Sequence, residues 1–165
     1  MILSDLIRVQ GNWLFRNRSY LPLLLVFLVV VALYPEEPLK PYTIIKLCFN
    51  AFAIAIGVLG LVVRIATVGF VPARTSGRNT MRQVADELNT TGIYSIVRHP
   101  LYIGNYLMWL GIILYTQSWW LTLTFTVLYM LYYERIMIAE ESYLIEKFGQ
   151  AYPDWAAVTP AFLPA

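Results

Sequence analysis

The stretch that decides the fold is 101-LYIGNYLMWLGIILYTQSWWLTLTFTVLYMLYY-133, a run without one charged side chain. At about 1.5 Å per residue it is too long for one helix across a roughly 30 Å hydrocarbon core. The polar Thr116-Gln117-Ser118 divides it. A tight helical hairpin in the membrane is therefore expected, with arms somewhat short of full spans. The second arm is expected to continue as a helix through Glu140 and Glu141 to Phe148, where Gly149 is placed to end it.

The composition agrees with a membrane setting. The chain has 165 residues, 59% hydrophobic and 13% charged, with a mean hydropathy of +0.60. Soluble domains run about 45–50% apolar and about 25% charged. So little charge cannot coat a water-facing surface, which speaks against a soluble domain. The 15% aromatic content excludes disorder. A net charge of +2 is too small to argue for nucleic acid. With one cysteine, Cys48, and one histidine, His99, neither an internal disulfide nor a zinc cage of several His or Cys ligands is available. No G-x-G-x-x-G or P-loop occurs.

Outward from the hairpin, residues 1–20 mix Leu6, Ile7, Trp13 and Phe15 with Arg8, Arg16 and Arg18. That pattern suits an interfacial amphipathic helix or a basic flank. Residues 21–34 form a short apolar run. A signal-peptide reading of it finds no small-residue cleavage site in the following Pro35-Glu36-Glu37-Pro38. It is read as a short membrane helix. Residues 42–71 are long enough to span, with Lys46 and Arg64 near opposite ends, placed to snorkel to the interfaces. Gly57 and Gly60 mark a place for close helix contact. Residues 72–91 turn polar and are expected outside the bilayer.

The expected fold class is therefore all-α: a polytopic membrane helical bundle of about four spans, with a C-terminal helix extending into the cytoplasm. It is one integral membrane domain over 1–165. Residues 1–85 supply the N-terminal membrane helices and a polar linker, and residues 86–165 the core with the chemistry. Arg8, Arg16, Arg18, Arg74, Arg78, Arg82, Arg98, Arg135 and Lys147 then all fall on the side of the termini. The positive-inside rule places that side in the cytoplasm.

One stretch stands apart: Gly92-Ile93-Tyr94-Ser95-Ile96-Val97-Arg98-His99-Pro100-Leu101-Tyr102-Ile103-Gly104. Pro100 suits the first turn of a helix, which puts Arg98 and His99 at the cytoplasmic mouth of the third span. Anchoring by positive charge and interfacial tyrosines is one reading of it. The second arm favours another. Tyr133, Met137, Glu140, Leu144 and Phe148 share one helical face, and Glu140 is the only charge in that stripe. A carboxylate among apolar neighbours is expensive and needs a partner. Glu141 faces elsewhere and is read as solvated. Folding the hairpin brings Tyr94, Arg98, His99, Tyr102, Arg135 and Glu140 to one depth at the cytoplasmic edge. Such a pocket suits a zwitterionic cofactor from the cytosol meeting an apolar substrate from the bilayer.

The motif Gly92-x-Tyr94-x-x-x-Arg98-His99-Pro100-x-Tyr102-x-Gly104 resembles the cofactor signature of the isoprenylcysteine carboxyl methyltransferases and their phospholipid methyltransferase relatives. Glu140-Glu141-x-x-Leu144-x-x-x-Phe148-Gly149-x-x-Tyr152 is similar to that family's C-terminal signature. The resemblance covers roughly residues 86 to the end. It implies a helical membrane core that holds S-adenosyl-L-methionine between the two motifs. Carried over by position, the implied cofactor contacts are Leu88, Tyr94, His99, Pro100, Leu101, Tyr102 and Glu140. It also implies a substrate-binding arginine before the glutamate pair, for which Arg135 is the nearest match, one residue out of register. Arg98 or Arg135 is placed to hold an anionic group of the substrate. Two positions depart from the family pattern: Asp86 stands where a histidine is common, and Ala161 where an arginine often precedes Phe162-Leu163-Pro164.

The resemblance implies a methyltransferase acting on a lipid or lipidated substrate, by carboxyl methylation or alternatively by phospholipid N-methylation, with no catalytic metal. Two rival readings stand beside it. Sterol or steroid reductases that use NADPH also carry an Arg-His-Pro-x-Tyr-x-Gly-like segment. They typically place Asn before the tyrosine and an acidic residue after the glycine, where this chain has Leu101 and Asn105. A non-enzymatic membrane scaffold or small transporter subunit would explain the hydrophobicity but not Glu140.

Overall fold

A computed structural model describes residues 3–18, 20, 27, 31, 43–69 and 85–162. Among these, five α-helices and one 3-10 turn make up the regular structure, with no strand. The described residues are thus all-α, as their apolar pattern leads one to expect. The apolar run at 21–34, apart from Phe27 and Val31, and the polar segment through residue 84 lie outside the described residues.

Helix α1 (Leu3–Asn17) is amphipathic and docks on the long helix that ends the bundle. Helix α2 (Ile44–Gly69) has 26 residues and a mean hydropathy of 2.3 over its most apolar window. It is about 39 Å long, enough to cross a roughly 30 Å core. Among the described residues it is the one helix both long and apolar enough to do so unaided. Helix α3 (Pro100–Tyr115) is equally apolar, but its 16 residues reach only about 24 Å. Helix α4 (Trp119–Phe148) runs 30 residues and turns polar beyond Tyr133. Four full spans are thus more than the described helices display.

The α2–α3 pair is the most closely packed part of the fold. Its seam consists of small residues, because only these let two backbones approach. A methyl added at Gly60 would lie 2.5 Å from the backbone nitrogen of Met108. One added at Gly111 would lie 2.7 Å from the Ala53 carbonyl oxygen. Polar side chains join the pair at both ends. Gln117, in the left-handed region at φ 57 in the hairpin turn, donates from Nε2 to Asn50 Oδ1 at 2.8 Å. Arg64 donates to Asn105 at the other end. Arg64 is therefore bonded across the helix pair in addition to being exposed.

The hairpin is antiparallel, as the uncharged run implies. Ser118 caps α4 by accepting from the Leu121 amide, and Gly149 ends it at φ 58. An aromatic ladder of Phe125, Tyr129 and Tyr133 faces α3 and forms the core with Tyr102, Ile113, Ile136 and Phe15. The ladder is tied as well as packed: the Tyr129 hydroxyl donates to the Tyr102 carbonyl at 2.7 Å. α4 then overshoots the first turn of α3, and its exposed end is available to α1 and to the segment preceding α3. The short helix α5 (Ala151–Val158) folds back beside it. Beyond α5 the chain returns to the start of α3: the Arg98 amide donates to the Pro160 carbonyl at 2.9 Å and the His99 amide to that of Ala161 at 3.2 Å.

Candidate functional site

The site begins with local backbone chemistry. Gly92 takes φ 60, a conformation that costs glycine little, and opens the 3-10 turn Gly92–Ser95. The turn buries Tyr94 and leads to Val97, also buried. His99 is the residue just before α3, and Pro100 occupies its first turn, where a missing amide hydrogen costs nothing. The C-terminal return holds both the Arg98 and the His99 amides, which fixes the main chain from which the imidazole projects.

The His99 side chain is only 4% exposed, so its ring nitrogens need partners. Its Nε2 lies 3.0 Å from Glu141 Oε1, and its Nδ1 lies 3.8 Å from Glu140 Oε2. The Tyr102 hydroxyl donates to the same Glu140 oxygen at 2.7 Å, and the His99 and Tyr102 rings stack with centroids 5.6 Å apart. Arg98 Nη1 approaches Glu141 Oε1 at 3.3 Å. One histidine is thus held between two successive carboxylates, one braced by a tyrosine and the other by an arginine.

Glu141 corrects the sequence expectation, which had it solvated. Successive helical residues point about 100° apart, but the segment before α3 lies against α4 and reaches both. The signal available in the sequence was the lone histidine with two ring nitrogens, facing an adjacent pair of glutamates. Burial pushes the Glu141 carboxyl up, but the His99 hydrogen bond and the Arg98 charge outweigh it, and its pKa lies below the usual 4.5. A depressed carboxylate stabilises the fold fully above its usual value and loses that contribution as the pH falls through the lowered one. We expect the thermal midpoint of the detergent-solubilised chain to fall on acidification below about pH 4.5. Glu141→Gln should flatten that slope, measured as the difference between the two pH profiles.

Beside this cluster lies a small cleft, partly open to solvent. One wall is the segment with Ala85, Glu87, Leu88 and Asn89, and the floor carries Tyr94, Arg98 and His99. α4 supplies Glu140 and Leu144, and α5 supplies Tyr152 and Trp155. Of the candidate residues, Leu88, Tyr94, Arg98, His99 and Glu140 therefore meet in one cleft. Tyr102 stands behind it, bonded to Glu140, while Pro100 and Leu101 build the first turn of α3 outside the lining. Arg135 lies elsewhere: it donates to Gln10 of α1 at 3.2 Å and to the Leu131 carbonyl at 2.7 Å. The helical register turns it away from the Glu140 face, and α1, whose position the sequence does not reveal, takes it up. Trp155 of α5 was not among the sequence candidates.

Among the described residues, no group of three or more His, Cys, Asp or Glu side chains converges as a metal site would require. The cleft instead combines carboxylates, buried donors and aromatic rings, a set that complements a small ligand bearing both charges.

Comparison with known proteins places this geometry in context. The family model for phospholipid methyltransferases matches residues 49–151, from α2 into the start of α5. The chain is 35% identical over 117 residues to the nickel-cobalt-cadmium resistance protein NccN of Alcaligenes xylosoxydans xylosoxydans, covering 70% of this chain and 51% of that one. It is 34% identical over 113 residues to the cobalt-zinc-cadmium resistance protein CzcN of Cupriavidus metallidurans, covering 67% and 49%. It is 32% identical over 77 residues to a protein-S-isoprenylcysteine O-methyltransferase of Schizosaccharomyces pombe, covering 47% and 33%. The chain spans about half the length of the first two relatives and a third of the last. No solved structure matches it.

Proposed function

The chain belongs to the phospholipid methyltransferase family, and from that premise we propose that it transfers a methyl group from S-adenosyl-L-methionine to an acceptor borne on a lipid or a lipidated molecule. The observation that carries this reading is the buried His99 gripped by Glu140 and Glu141 at the edge of the cleft.

The residues present fit the methyl donor chemically. Glu140 and Glu87 offer negative charge to a cationic ligand, Tyr94 offers a ring face, and Arg98 offers charge-assisted donors. When bound, the donor supplies an activated methyl on a sulfonium. The protein's task is then alignment and exclusion of water, for which effective molarities are very high. His99 and Tyr102 hold the Glu140 carboxylate in one place. Arg98 and His99 do the same for Glu141, which keeps the segment before α3 closed against α4. Leu88 and Leu144 provide apolar walls.

For the acceptor, carboxyl methylation of an isoprenylcysteine-like group is the first reading, supported by the similarity to the fission yeast enzyme. Phospholipid N-methylation is the second, favoured by the family description. The metal-resistance names of two relatives describe those proteins. As for topology, α2 is read as a full span and α3 with the apolar part of α4 as a shorter hairpin. With the sequence reading of 21–34 as a further membrane segment, the cleft and both termini face the cytoplasm.

The test is to incubate membranes containing the chain with methyl-labelled S-adenosylmethionine and separate lipid from protein products. Label in a base-labile ester of a prenylated acceptor is the expected result. Label in phospholipid headgroups selects the second reading. No label above membranes lacking the chain, together with no binding of S-adenosylhomocysteine, overturns both.

A further inference from the structure

Three buried side-chain groups of the cleft, Arg98 Nε, the Tyr152 hydroxyl and the Trp155 indole, have no hydrogen-bond partner among the described residues, and two of the three can only donate. Those two, Arg98 Nε and Trp155 Nε1, are both shut off from solvent. Buried donors are almost always paired in folded proteins, and one left unpaired costs stability that a ligand acceptor restores. Neither group is loosely held. The Arg98 guanidinium is anchored through Nη1 at Glu141, which leaves its Nε edge over. The Trp155 ring packs edge-on to Tyr152, with centroids 5.5 Å apart, and the Thr159 amide donates to its carbonyl at 3.1 Å.

An orphan guanidinium N–H and an orphan indole N–H in one cleft form a site for an anion with two acceptor oxygens. The same cleft holds Glu87 and Glu140, so it also offers acceptors for a cation. A free amino-acid group carries both charges on one carbon. We propose that Trp155 Nε1–H and Arg98 Nε–H receive the carboxylate at the amino-acid end of the methyl donor, which makes Trp155 a donor-binding residue and fixes which end of the ligand enters against α5. The inference rests on the methyl-transfer reading above. A carboxylate on the acceptor is the other possible source of the same chemistry. It is disfavoured because the Trp155 wall lies with the polar segment at residues 85–89 and with α5. The exposed apolar faces from which a lipid would enter are those of α2 and the hairpin.

The experiment is titration calorimetry of the full chain in detergent with no acceptor present, using S-adenosylmethionine and its decarboxylated analogue. The wild-type chain is expected to bind the intact donor about ten-fold or more tighter than the analogue. In Trp155→Phe, which keeps a ring but removes the N–H, that preference is expected to shrink to about three-fold or less. Both ligands are measured on the same preparation, so a misfolded fraction lowers the stoichiometry and leaves the ratio intact. A preference that survives unchanged in Trp155→Phe overturns the proposal. So does a wild-type chain that binds both ligands equally, since the carboxylate is then read elsewhere or only on the acceptor. If the wild-type chain binds neither, the methyl-transfer reading itself fails, which is a distinguishable result.

Discussion

Glu140→Gln is expected to weaken S-adenosylhomocysteine binding about 100-fold, close to abolishing it under ordinary assay conditions. The substitution keeps the size of the side chain and an oxygen to accept from Tyr102, whose hydroxyl lies 2.7 Å away. What it removes is the negative charge beside a buried imidazole and inside the cleft. Neutralising one member of a desolvated charged cluster typically costs about 2–5 kcal/mol, and about 2.7 kcal/mol is a factor of 100 in affinity. Titration calorimetry measures the loss, and the thermal midpoint reports whether the fold is intact. Glu146→Gln on the same helix is the control. Its carboxylate pairs with Arg8 at 2.7 Å, but the two side chains are 46% and 67% exposed, and such pairs contribute little. Equal binding by wild type and Glu140→Gln would remove Glu140 from the site.

The second large effect belongs to the helix seam. Gly111→Leu should cost about 3 kcal/mol or more, a large share of the roughly 5–15 kcal/mol that folded domains possess. The first atom added at Gly111 would sit 2.7 Å from the Ala53 carbonyl oxygen and from two backbone atoms of Gly57. Backbone in a regular helix cannot rotate aside as a side chain can, so α2 and α3 must separate. The site suffers with the seam, because His99 sits directly at the start of α3. Denaturation by increasing mole fraction of a harsh detergent measures the loss. Ile112→Leu, next along the helix but 48% exposed, should leave the midpoint nearly unchanged. If both substitutions behave alike, the close α2–α3 approach is not what holds the bundle together.

The sequence made much of this site legible because charge is scarce in the chain. Where few side chains are polar, Glu140 within an apolar stripe and His99 ahead of a proline stand out, and the uncharged run at 101–133 admits little but a hairpin. The hairpin brings those two residues to one depth, and the structure has them within 3.8 Å. The small-residue signal at Gly57 and Gly60 was also readable, though its partners Gly104 and Gly111 emerge only when α3 is laid against α2. Glu141 escaped for the opposite reason. Helical periodicity describes one face of one helix, and it is silent about a segment from elsewhere that reaches the neighbouring face.

The sequence alone therefore determined the helical class, the apolar segments, the ends of α4 and the convergence of Glu140 on His99. Each of these follows from local periodicity, from capping chemistry or from the cost of burying charge. Only the tertiary structure decided that Arg135 joins α1 instead of the cleft, that Glu141 completes the grip on His99, and that α5 brings Trp155 to the site. Those three outcomes depend on how helices without a shared local pattern dock. Docking is settled by the sum of many weak contacts over distant parts of the chain, which no short stretch of residues encodes.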